Sequence, residues 1–142
     1  MKLNPETIIL KGTPNFVEGS ASSEVKPGQH IVYGGANDYQ AGAAASAGVL
    51  KVVTENDLVG KTIEDSYAAE EQVYAHVPAK GDVVYLRLPA GAAAITKGAL
   101  IKRAASGNFA GGGVAADAVA EAEEAVDNSA GATDAFIKAR II

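Results

Sequence analysis

One local pattern recurs and restricts the fold more than any other feature. A lysine and a glycine stand before an aliphatic or β-branched stretch in VKPGQHIVY (25–33), PAKGDVVYL (78–86) and ITKGALIKR (95–103). In Lys26-Pro27-Gly28, proline sets φ for the second turn position and glycine supplies positive φ at the third, the signature of a type II turn. Lys80-Gly81 and Lys97-Gly98 repeat the arrangement without proline. Each turn is expected to open a strand. The three lysines read as solvated turn residues, with a ligand-binding ring of lysines as the alternative.

Further strand candidates lie between these turns: GVLKVVTE (48–55), EQVYAHV (71–77) and DAFIKARII (134–142). In the last, Ala135, Ile137, Ala139 and Ile141 share one face and Phe136, Lys138 and Arg140 the other, the period-2 alternation of a half-buried strand. The segment VAADAVAEAEEAVDNSAG (114–131) is ambiguous, because Ala and Glu favour helix whereas small apolar and acidic residues alternate around 120–123. The alternation and the following DNSAG turn favour a strand in a hairpin with 134–142, and a short helix is the alternative. Many short strands punctuated by Gly and Pro predict a mainly β domain, an antiparallel sandwich or barrel.

Residues 1–24 read differently. Pro5, Gly12, Pro14 and Gly19 prevent a helix or long strand from persisting, so the segment is expected to be an extended N-terminal arm preceding a β-rich domain over 25–142. The arm carries Leu3, Ile8, Ile9, Leu10, Phe16 and Val17, apolar residues that a free tail has no reason to hold. They are candidate anchors for a partner, or they pack back on their own domain as an edge strand.

The chain's 142 residues match about one domain, and with 48% hydrophobic but only 6% aromatic residues and no Trp the core must rest on Val, Ile, Leu and Ala. Such a core is modest, so a partner surface would add to its stability. The net charge of −5 argues against nucleic-acid binding. No apolar run approaches a membrane span and MKLNPETIIL is too polar for a signal peptide, so a soluble protein made in the cytoplasm is expected.

Catalytic patterns are not assembled. Gly60-Lys61-Thr62 evokes a phosphate loop, but Glu55 stands where that loop needs its first glycine, and Glu55 and Asp57 would repel the anion. A plain turn between strands is the better reading. With no cysteine, thiolate chemistry and zinc–sulfur sites are removed. His30 and His76 have no Asp, Glu or second His at ligand spacing and read as isolated, partly buried or surface residues. Glu121, Glu123, Glu124 and Asp127 read as a solvated acidic face, because two carboxyls need unlike environments to act as acid and base. GNFAGGG (107–113) reads as a flexible loop without dinucleotide spacing, and Ser20, Ser22 and Ser23 lack a nucleophile elbow. No cofactor or metal and no enzymatic activity is expected.

Taken together, VKPGQHIVYGG, DLVGKTIEDSYAAEEQVYAHVPAKGDVVYLRL, AITKGALIKRAASGNFAGG and AVAEAEEAVDNSAGATDAFIKARII give residues 25–142 a resemblance to the small capsid decoration, or cement, proteins of tailed bacteriophages. The resemblance implies a β-tulip or sandwich domain, a homotrimer on capsid symmetry axes, and an arm reaching its neighbours. The implied partners are the major capsid protein and further copies of the chain; the implied location is the outer surface of the virion, where the protein stabilises the capsid. The family pattern usually has glycine where this chain has Glu70. AITKGALIKR is also similar to β-clip modules of the SAF or antifreeze-like kind, which bind carbohydrate or partner domains. A phage head-fibre or tail subunit is a third reading.

Overall fold

The computed structural model describes residues 7–35 and 38–142. As the turn pattern predicts, the chain is mainly β, 39% strand and 4% helical. The strands are β1 (Ile9–Lys11), β2 (Phe16–Ala21), β3 (Ile31–Tyr33), β4 (Asp38–Ala41), β5 (Val52–Val53), β6 (Gln72–His76), β7 (Val83–Leu88), β8 (Leu100–Arg103), β9 (Phe109–Ala110), β10 (Ala118–Ala122) and β11 (Ala135–Ile141). They form a six-stranded sheet, β1-β7-β11-β10-β8-β9, and a five-stranded sheet, β3-β4-β2-β6-β5, in a sandwich-like single domain. Every pairing is antiparallel except β2 with β4.

The Lys-Gly turns close as their sequence dictates. Gln29 N–H bonds the Lys26 carbonyl at 3.1 Å, Asp82 that of Ala79 at 3.0 Å and Ala99 that of Thr96 at 3.1 Å, around Gly28, Gly81 and Gly98 with φ of 86°, 94° and 86°. Only glycine takes such φ without steric cost. Residues 114–131 contain a strand, β10, rather than a helix. It lies between β8 and β11, and both neighbours bury Ala120 and Ala122, so tertiary pairing outweighs the helix propensity of Ala and Glu. In β11, Ile137, Ala139 and Ile141 are buried as the alternation predicts, while Phe136 is also buried, on the other face, beside Tyr85 and under Arg87.

Residues 1–6 of the expected arm lie outside the described residues. From residue 7 the segment is woven into both sheets. β1 packs back as an edge strand on β7, one of the two readings of its apolar pair. β2 goes further and becomes the middle strand of the second sheet, between β4 and β6. The crossing is made at Gly12, whose φ of 127° no side chain tolerates well; an added Cβ there would lie 2.2 Å from the Asp82 carboxylate.

Each sheet has its own core. The larger is aliphatic, with Ile8, Leu86, Leu88, Ile101, Ile137 and Ile141 around Phe109 and Phe136. The smaller combines Val25, Ile31, Val53 and Val73 with Tyr39 and Tyr67. Arg87 joins the Lys26-Pro27-Gly28 turn to the rest: its guanidinium donates to the carbonyls of Pro27 (2.8 Å) and Ile63 (3.0 Å) and to the Asp134 carboxylate (3.0 Å).

Candidate functional site

The residues singled out in the N-terminal segment separate according to strand geometry. Successive side chains of a strand point to opposite faces. In β2 this turns Phe16 and Glu18 outward and Val17 inward against the smaller core. Ile8 is wholly buried in the larger core. Leu3 lies outside the described residues. Ile9, Leu10 and Phe16 are left to meet in one cleft of about 550 Å³.

The walls of that cleft are of two kinds. Ile9, Leu10, Lys11 and Gly12, four consecutive residues, all line it. The register of β1 on β7 shifts between Ile9 and Lys11, so strict alternation does not hold in this stretch, and the cleft meets all four residues beside the strand's outer edge. The far side of β1 from β7 has no strand partner among the described residues. The opposite wall is a sheet face, made by Phe16 and Glu18 of β2 and by Tyr74 of β6, which stands opposite Glu18 in register. The loop Thr54–Leu58 closes one end. Leu58 is 80% exposed, Phe16 51% and Leu10 41%, an apolar grouping that the chain leaves in water. Among the described residues, three carboxylates, Glu18, Glu55 and Asp57, and one ammonium, Lys11, stand around it. Glu55 is committed to holding the N-terminal segment, accepting from Thr7 Oγ1 (2.6 Å) and Ile8 N–H (3.1 Å).

The remaining polar residues serve the fold. Gly60-Lys61-Thr62 follows a single 3-10 turn, Asp57–Val59, in the connection between β5 and β6, as the reading of a plain turn expects. Gly60 has φ 75°, Lys61 pairs with Glu71 at 3.2 Å, and Thr62 N–H donates to Asp65 Oδ2 at 2.7 Å. That bond and a second from the Thr62 hydroxyl to the same oxygen (3.2 Å) hold the Asp65 carboxyl below its usual range.

Both histidines are buried, contrary to expectation, and one has an acidic partner. His76 Nδ1 accepts from Asn15 N–H (3.2 Å), which leaves Nε2–H to donate to Asp82 Oδ2 (3.2 Å). Asp82 also accepts from Ala79 N–H, so this pair ties the arm crossing to the Lys80-Gly81 turn. His30 donates through Nε2 to the Ala104 carbonyl (3.0 Å), stands edge-on to Phe109, and has no partner at Nδ1 among the described residues. Burial holds its pKa below the ordinary value. Gly42 packs so closely on the ring that a Cβ would lie 2.2 Å from Nδ1.

The acidic face is partly built into the hairpin. Glu123 pairs with Arg140, Glu124 accepts from Lys138 N–H, and Asp127 caps Ser129. The Ser129 hydroxyl and N–H hold the Asp127 carboxyl below its usual range. GNFAGGG is likewise more than a loop, since it contains β9 and places Phe109 fully inside the core. Among the described residues no three of His, Asp and Glu are grouped as a metal site. A second hollow, of about 600 Å³, lies beside Arg87 and Asp134, which are paired to each other.

Sequence reasoning found Ile9, Leu10 and Phe16 but missed Glu18, Leu58 and Tyr74. Leu58 carried a signal, an aliphatic side chain in a polar stretch before a glycine. The other two become visible only once β2 and β6 are paired.

No family model and no curated protein sequence matches this chain. Among solved structures, the N base of the head fiber gp8.5 of bacteriophage phi29 is similar, with TM-score 0.60 and 10% sequence identity over 92% of this chain and 95% of that one. The two chains share a fold over nearly their whole lengths.

Proposed function

We propose that the protein is a non-enzymatic structural component of a phage head, seated on the outside of the capsid, with the major capsid protein as partner and a homotrimer as the bound form. The observation that carries this reading is the end-to-end likeness to the base of a phage head fibre. The independent resemblance of residues 25–142 to decoration proteins points to the same particle. The use of buried polar groups agrees with it: Arg87, His76 and Asp82 bind turns and strands of their own chain.

Decoration that stabilises the capsid is the primary reading. A head-fibre base is the second, favoured by the identity of that structural neighbour. In either case Leu10 and Phe16, with the half-buried Ile9 beside them, supply the apolar contacts expected of the N-terminal segment, whereas Ile8 and Val17 contribute to the folded cores. Heads assembled without the protein, incubated with it, pelleted and imaged by cryo-electron microscopy, test the proposal. Compact trimeric bosses and heads that resist heat better are expected. Outward-projecting density above each boss would favour the fibre base, and failure to pellet would exclude both.

A further inference from the structure

We propose that the cleft beside β1 takes one extended segment of a partner protein as an added strand, and that this segment carries alternating apolar and basic side chains. The source of the segment, a capsid subunit, rests on the function proposed above; its chemistry follows from the cleft.

Three features converge on that occupant. An edge strand offers a row of N–H and C=O groups that another extended chain can pair with, and here the row faces into a cleft instead of open water. A β strand added along Ile9–Lys11 would present every second side chain to one side. On that side Leu10, Phe16 and Leu58 offer an apolar contact whose burial on binding is favourable. The rim decides the charge of the remaining side chains. Glu18 and Asp57 are exposed, and among the described residues Lys11 is the one cation lining the cleft, so Lys or Arg is attracted and Asp or Glu repelled. A second copy of this chain is a poor occupant on the same ground, because it also carries a net charge of −5.

The test uses the full chain and a synthetic peptide of about ten residues, the length of a long strand, alternating Val and Lys. Its controls are an alternating Val and Glu peptide and the Val and Lys peptide N-methylated at alternate backbone positions. Amide NMR should show saturable shifts at Ile9, Leu10, Lys11 and Tyr74 with the unmodified Val and Lys peptide alone. Leu58→Glu, at a surface position whose change leaves the fold intact, should weaken binding about tenfold or more. The double change Glu18→Lys with Asp57→Lys should abolish the preference for Lys over Glu. Absence of saturable binding, or equal binding of all three peptides, overturns the proposal. So does concentration-dependent self-association that Leu58→Glu dissolves, since the occupant would then be a second copy. Pelleting with phage heads separates this inference from the function it builds on. If the wild type and Leu58→Glu chains pellet equally, the cleft is not the docking site although the head-binding role stands. If neither pellets while the peptide binds, the head-binding role fails and the cleft stands.

Discussion

The two cores of this domain reach order by different means. In the six-stranded sheet the centre is aliphatic: Leu86 and Ile137 stand opposite each other on β7 and β11, both fully buried, and apolar area does most of the stabilising. In the five-stranded sheet the core is smaller and polar atoms enter it. The Tyr67 hydroxyl donates to the Thr54 carbonyl at 2.8 Å and Tyr39 stacks on Tyr33 at 5.1 Å, while His30, just before β3, reaches across to the Ala104 carbonyl and Phe109 of the larger sheet. Burial pushes the Tyr67 phenol upward and that of Tyr39 up to about 12, with Tyr33 adding to the second. A sheet with little apolar area depends on individual hydrogen bonds, and its stability should respond to single polar changes and to pH more than that of its neighbour.

The largest effect is expected in the aliphatic core. Ile137→Ala removes a fully buried side chain from the centre of β11 and should cost about 2–5 kcal/mol by denaturant unfolding. A loss well under that range would mean the six-stranded sheet is not the dominant source of stability. Next comes Tyr67→Phe, which keeps the ring and strands the Thr54 carbonyl; a cost of about 1–3 kcal/mol is expected, and a neutral result would show that the smaller core does not depend on that bond.

Acid should act where the smaller sheet meets the larger, through His30. The folded protein holds this ring neutral, because it is buried with Nδ1 unpartnered, whereas the unfolded chain takes up a proton near pH 6.5. Its contribution is therefore complete above about pH 6.5 and is lost as pH falls toward the lower folded value, by at most about 1.4 kcal/mol per pH unit for one proton. His30→Gln, whose amide can still donate to the Ala104 carbonyl, should flatten the slope between about pH 7 and 5 relative to the wild type. Parallel slopes in the two proteins would assign acid sensitivity elsewhere.

The smallest effect is a gain. Glu70 has φ 72°, a conformation that costs a side chain about 1–2 kcal/mol, in the turn whose N–H groups bond Ala21 and Ala68 at the entry to β6. The added flexibility of glycine in the unfolded chain offsets part of that, so Glu70→Gly should stabilise by roughly 0.5–1 kcal/mol. A thermal midpoint that falls instead would show that the Glu70 side chain supports this turn. Glycine takes this left-handed backbone without the cost that a side chain pays.

Much of this was legible in the chain. The turns at Gly28, Gly81 and Gly98, the strand at 135–141 and the plain turn at Gly60-Lys61-Thr62 follow from local sterics and alternation. The candidate site was legible in part: exposed apolar residues in a Gly- and Pro-punctuated segment marked Leu10 and Phe16, but the same signal also marked Ile8 and Val17, which are turned inward. Nothing local separates them, because the face a strand buries depends on the sheet it joins.

The sequence alone determined that this chain would be short strands joined by tight turns, since glycine and proline restrict φ within a few residues whatever surrounds them. Tertiary structure decided where each strand goes. It split the N-terminal segment between two sheets at Gly12, brought Asn15 to His76 and Arg87 to Pro27, Ile63 and Asp134, and set the edge of β1 opposite Phe16, Glu18 and Tyr74. Those contacts join residues far apart in the chain or on different strands. Which strand edges meet is settled by the burial and hydrogen bonding of the whole domain, a choice that no local stretch encodes.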